Sequence, residues 1–275
     1  LREDFKYNIS LNGSYNKNEV GNIPTSDGII HGAGDELYNN ASEFYRAENG
    51  QPIGYFWGYK TAGIFQNTQE IDEWRAAGNG ILQSNVQPGD VRFVDRNHDG
   101  QINDKDKVNL GNGTPDFTLG LNLGFVYKGF DFSIVANGAF GQQIVQSYRN
   151  HTRPTPNYTT AILDRWHGEG TSNRIPRVTD SNINYQFSDL FIQNGDYLRL
   201  STLTLGYDFA KLFKGKAVSQ ARLYFQVQNL FIITGYDGMD PEIGFGSSNN
   251  SWVSGLDYGY YPRPRTVLVG VNLKF

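Results

Sequence analysis

Phe117-Thr118-Leu119-Gly120-Leu121-Asn122-Leu123-Gly124-Phe125-Val126-Tyr127 is the stretch whose reading decides the fold. Its large apolar residues fall at every second position, and Thr118, Gly120, Asn122 and Gly124 fill the gaps. Alternation of period two is the mark of a strand with one apolar and one polar face. After the tight Lys128-Gly129 the pattern resumes, with Phe130, Phe132 and Ile134 opposing Asp131, Ser133 and Asn137. The stretch therefore reads as two antiparallel strands joined by a hairpin turn.

Working outward, the same alternation returns near both ends. Phe5, Tyr7, Ile9, Leu11 and Tyr15 oppose Lys6, Asn8, Ser10, Asn12, Ser14 and Asn16. Leu223, Phe225 and Val227 oppose Arg222, Gln226 and Gln228. Val267, Val269, Val271, Leu273 and Phe275 oppose Thr266, Gly270, Asn272 and Lys274. In 197–209 the phase slips between Leu200 and Leu203; a β-bulge near Ser201–Thr202 would make it do so, and so would a strand boundary placed wrongly.

The expected strands are about eight, at 3–18, 41–47, 53–66, 116–128, 130–142, 196–209, 220–234 and 266–275. Connections between them alternate in length. Glu48-Asn49-Gly50-Gln51, Lys128-Gly129 and 210–219 are short, whereas 19–40, 67–115, 143–195 and 235–265 are long. Outer-membrane barrels have this asymmetry, with short periplasmic turns and long extracellular loops. The fold class expected is therefore all-β, a transmembrane antiparallel barrel portion whose last strand runs downward to a periplasmic Phe275. A soluble sandwich would want more than the 38% hydrophobic residues found here. Inside the long loops, Asn67 should cap a helix over Thr68–Ala77, and Thr160 one over Ala161–His167.

Composition fits that class. Phe (18), Tyr (17) and Gly (32) are abundant although mean hydropathy is −0.51. A wet lumen, solvated loops and lipid-facing aromatics reconcile the two. No stretch approaches a membrane helix. The net charge of −4 disfavours nucleic acid as a partner, and the absence of cysteine excludes disulfides and thiolate chemistry. The chain starts at Leu1 in mid-pattern, as a mature fragment or excised domain would.

One loop has the oxygen spacing of a calcium site. Counting Asp95 as position 1, Asn97 stands at 3, Asp99 at 5, Gly100 at the turn, the Gln101 carbonyl at 7, apolar Ile102 at 8 and Asp106 at 12. Asp replaces the usual Glu at position 12. The same residues also make an Asx-rich turn that needs no metal. His31, His98, His151 and His167 all fall in expected loops, away from any strand-borne Ser or Asp, so no catalytic triad is expected. Trp166, Trp252, Tyr258, Tyr260 and Tyr261 could stack on a sugar or peptide, or belong to an aromatic rim.

Taken in order, several short segments resemble the C-terminal end of SusC/RagA-type TonB-dependent transporters. Gly50-Gln51-Pro52-Ile53-Gly54 leads to Gly58-Tyr59-Lys60 and Gly63-Ile64-Phe65. Pro88-Gly89-Asp90-Val91-Arg92-Phe93 precedes the Asp95–Gly100 loop, and Gly111-Asn112-Gly113-Thr114-Pro115 follows it. Then come Tyr127-Lys128-Gly129-Phe130-Asp131, Tyr197-Leu198-Arg199-Leu200, Gln228-Asn229-Leu230-Phe231, Asp240-Pro241-Glu242 and Tyr261-Pro262-Arg263-Pro264-Arg265. Each is weak alone; the order is specific.

The resemblance implies a 22-stranded barrel, of which residues 1–275 supply the C-terminal portion, with the plug and TonB-contact region elsewhere. It implies energised import of an oligosaccharide or peptide through the outer membrane of Bacteroidetes, with a SusD-like surface lipoprotein as lid and the TonB complex as energy source. Outer-membrane lipid is the surrounding partner. A surface-exposed binding or adhesion barrel without transport is the competing expectation, and no enzyme activity is expected.

Overall fold

The computed structural model describes residues 5–32, 43–147, 159–179, 183–210, 213, 218–244 and 252–275. Six long strands form one sheet: Phe5–Tyr15, Phe117–Tyr127, Phe130–Phe140, Tyr197–Asp208, Gln220–Thr234 and Thr266–Lys274. Each pairs antiparallel with the next in sequence, a simple up-and-down meander. At 9 to 15 residues they have the length of strands that cross a bilayer at a tilt.

The register turns the sequence alternation into continuous rows. Tyr7, Phe125, Phe132, Leu205, Phe225 and Val269 are successive partners across all six strands. Ile9, Leu123, Ile134, Leu203, Val227 and Val267 form the parallel row beside them. Between these rows, on the other face, run Asn8, Gly124, Ser133, Thr204, Gln226 and Leu268. A sheet with an apolar outside and a largely polar inside is the wall of a barrel. The expected bulge is present, since the register shifts between Leu200 and Thr202 against both neighbouring strands. It keeps Leu198, Leu200, Leu203 and Leu205 on one face despite their uneven spacing.

At one end the strands join tightly. Lys128 and Gly129 have φ of 48° and 90°, the two left-handed positions of a type I′ turn. The fourth and fifth strands join at that same end, between Asp208 and Gln220. At the other end stand three long connections, 16–116, 141–196 and 235–265.

Two of the expected wall strands are not in the wall. Residues 41–47 and 53–66 contribute instead to short strands, Tyr45–Glu48, Tyr55–Gly58 and Thr61–Ile64; positions 41 and 42 lie outside the described residues. Tyr45–Glu48 and Tyr55–Gly58 pair with Ile29–His31 and Val108–Asn109 in a small four-stranded sheet. So the wall portion has six strands where about eight were expected. The Asn49-Gly50 turn belongs to the long-connection end, and the outer excursions number three rather than four. His31, expected in a loop, closes a short strand. Asn67 does cap a helix, Thr68–Ala76, by accepting from the Glu70 N–H. Thr160 instead opens a single 3₁₀ turn, Thr160–Asp164, with no side-chain cap.

The described parts of the three connections fold into one lobe. Gln143–Gln146 pairs antiparallel with Ile192–Asn194 and parallel with Leu256–Asp257, which ties the second connection to the third. One buried cluster takes Phe44, Tyr45, Phe56 and Leu110 from the first, Val145, Phe187 and Phe191 from the second, and Val253 and Leu256 from the third. A smaller cluster of Tyr59, Val91, Phe93 and Ile102 lies within the first. Apolar burial of this extent, worth roughly 1.5–3 kcal/mol per large side chain, makes the connections a folded body.

Candidate functional site

On the polar face of the wall, Arg222 grips Asp131 through two hydrogen bonds, at 2.7 and 2.6 Å, across the intervening fourth strand. Gly206 lies between them, and a Cβ there would sit 2.3 Å from Asp131 Oδ1 and 2.6 Å from Arg222 Nε. Only glycine leaves room for this charged brace. Higher on the same strand, buried Arg199 donates to Asp240 Oδ1 at 2.6 Å. Its Nε approaches Glu242 Oε2 to 2.9 Å without the alignment of a hydrogen bond, so that contact is charge attraction alone. Glu242 in turn meets Arg263 at 3.0 Å. This chain of alternating charges fastens the third connection to the wall.

Where the first and second connections meet, buried Asp90 accepts from Arg177 Nε at 2.7 Å and from Asn184 Nδ2 at 2.8 Å. Gln66, Glu70 and Arg92 face Gly170, Ser172 and Asn173 across a shallow polar cleft. Arg92 is already spoken for there, with two bonds to the Ala62 carbonyl and Glu70 at 3.7 Å.

The aromatic candidates divide. Trp252 and Tyr258 pack against the lobe core, Trp252 at 5.1 Å from the Tyr45 ring, so both are structural. Trp166 donates to Gln66 Oε1 at 3.2 Å. Tyr260 and Tyr261 stay exposed, Tyr261 at 88%. Sequence reasoning missed Trp57, whose ring carries two cations, the Arg46 guanidinium 3.4 Å from its centre and the Lys107 ammonium at 4.5 Å. The unbroken run Tyr55-Phe56-Trp57 was the available signal of burial on both faces.

The histidines are dispersed. His31 bridges Glu43, at 2.9 Å, and Asp27, at 3.3 Å, and the Glu43 bond foremost holds its pKa above the ordinary value. His98, itself exposed, sits at φ 57° in the 95–106 loop, and His167 contacts the Arg165 carbonyl. His151 lies outside the described residues.

In the 95–106 loop, Asp95 and Asp106 turn inward while Asn97, Asp99 and Gln101 stay at the surface. Asp106 accepts from the N–H groups of Arg96 and Asn103, both at 2.8 Å. Asn97 accepts from Asp99 N–H and Asp99 from Gln101 N–H, the Asx-turn pattern. Among the described residues, no three His, Cys, Asp or Glu groups already converge as a metal cage.

No protein-family model matches the chain. It is 32% identical over 285 residues to TonB-dependent receptor P3 of Formosa agariphila, covering 99% of this chain and 27% of that protein. To the TonB-dependent receptor SusC of Bacteroides thetaiotaomicron it is 28% identical, over 100% of this chain and 25% of that one. The structure of the RagAB peptide transporter superposes with a TM-score of 0.70 at 21% identity, using all of this chain and 28% of the other. The chain thus spans about a quarter of the curated relatives it matches. Over its whole length the chain is thus similar to part of the TonB-dependent receptors of the SusC type, and it shares the fold of the corresponding portion of the larger RagAB β-barrel.

Proposed function

We propose that these residues form the C-terminal portion of an outer-membrane barrel that imports oligosaccharides or peptides, energised by TonB. One observation carries the reading: apolar rows run unbroken across all six wall strands, on one face only. Such a face matches lipid, and the polar face opposite matches a wet or plugged lumen. In this reading the plug and the TonB contact lie in other parts of the protein. The rigid lobe then stands outside the cell, where a SusD-like lipoprotein would close over it. Work is done by gating, without covalent chemistry, so the protein is read as a transporter and not an enzyme.

The test is a chromosomal deletion of the receptor gene, complemented by the intact gene. Uptake of fluorescent oligosaccharides and peptides should fall to background for one substrate class and return on complementation. Removing TonB should have the same effect. Parental uptake of every substrate, with lost cell-surface binding, would overturn import in favour of an adhesion barrel.

A further inference from the structure

We propose that the Asp95–Asp106 loop is a calcium site that clamps the smaller core of the lobe. Two carboxylates are sunk here, Asp95 at 1% and Asp106 at 0% exposure. Among the described ion pairs, neither has a Lys, Arg or His partner. Burying two anions without a cation is costly, and backbone N–H groups offset only part of that cost.

The carboxylate of Asp95 points into the loop. Its Oδ2 accepts from Gly100 N–H at 2.8 Å and from Gly80 N–H at 3.0 Å, which leaves Oδ1 buried with no partner. An anionic oxygen in that state is what a cation would complete. The donors within reach along the loop are Asp95, Asn97, Asp99, the Gln101 carbonyl and Asp106, all oxygen, which selects a hard cation. Calcium tolerates the irregular geometry this mixed set offers; magnesium demands a near-ideal octahedron. Gly100, at φ 79°, makes the turn that brings the two halves of the loop together. Asn97 and Asp99 must swing inward from the surface, so the site completes itself on binding. Ile102, between Asp99 and Asp106 in sequence, already packs in the cluster with Tyr59, Val91 and Phe93, so closing the loop fixes that cluster.

The experiment uses the full-length receptor purified in detergent, stripped with EGTA and titrated with calcium chloride. Wild type should bind one more calcium ion per chain than either Asp95→Asn or Asp99→Ala. Asp99 is exposed, so its variant tests binding without disturbing the fold. At about ten times the dissociation constant, itself expected near 10⁻⁴–10⁻³ M, calcium should slow proteolysis within 80–107 about tenfold in wild type alone. Equal stoichiometry in all three proteins would overturn the proposal. So would equal protection by magnesium chloride, or cleavage indifferent to calcium.

Discussion

Val269 is the residue at which the membrane reading is most exposed to test. It is 71% accessible and ends the apolar row that begins at Tyr7. Val269→Arg should destabilise the barrel by about 2–4 kcal/mol if the row lies near the bilayer midplane. Outer-membrane levels of the variant, measured in fractionated cells, should drop sharply. Gln226→Arg, one row across on the polar face, should leave them near normal. The opposite result, with Gln226→Arg depleted and Val269→Arg near normal, would mean the faces are assigned the wrong way round. His31 offers a second residue-scale test. Its cation is held by Glu43 and Asp27, with Arg46 opposing. Because its folded pKa is raised, the stabilisation is complete below the ordinary histidine value and is lost as pH climbs past the raised one. Protection factors in residues 27–32 and 43–48, with the intrinsic pH dependence of amide exchange divided out, should therefore be higher at pH 6 than at pH 8. The difference should vanish in His31→Gln, and if it persists His31 is not its source.

Elements were legible in the sequence where burial is one-sided. Each of the six wall strands faces two different media, so period two is written plainly into Phe117–Tyr127 and Thr266–Lys274. Even the bulge at Ser201 could be read, because a single extra residue flips the apolar phase. Tyr55–Gly58 was misread because both its faces are covered by the lobe. It carries Tyr, Phe and Trp in succession, and a short apolar run does not announce which sheet it joins. The Asn49-Gly50 turn compounded the error, since a type I′ sequence marks a hairpin at either end of a barrel. The loop oxygens at 95–106 were visible as spacing, but the sinking of Asp95 and Asp106 is a tertiary fact. Orientation is settled by labelling. A cysteine replacing exposed Arg174, in the second connection, should react with an impermeant maleimide on intact cells. One replacing Phe213, in the short connection, should react only once the outer membrane is opened. The reverse pattern would invert the barrel.

At the scale of the whole molecule the lobe has to behave as one cooperative body. Phe56 is fully buried in the first connection, and Phe56→Ala should cost the lobe about 3–5 kcal/mol. Hydrogen exchange should quicken at 143–147 and 252–257 as well as around residue 56, because all three share the cluster. Exchange confined to the first connection would show three independent loops. The strands beneath should keep their protection, their ladders being fixed by hairpins at the far end. The shared core also bears on how such a receptor could be re-engineered. A chimera that transplants only one connection from a relative would bring in side chains shaped for a different interior, and would leave Val145, Phe187, Val253 and Leu256 facing strangers. Exchange of the lobe between related barrels is therefore an all-or-none graft, in which the three connections travel together and the wall stays behind.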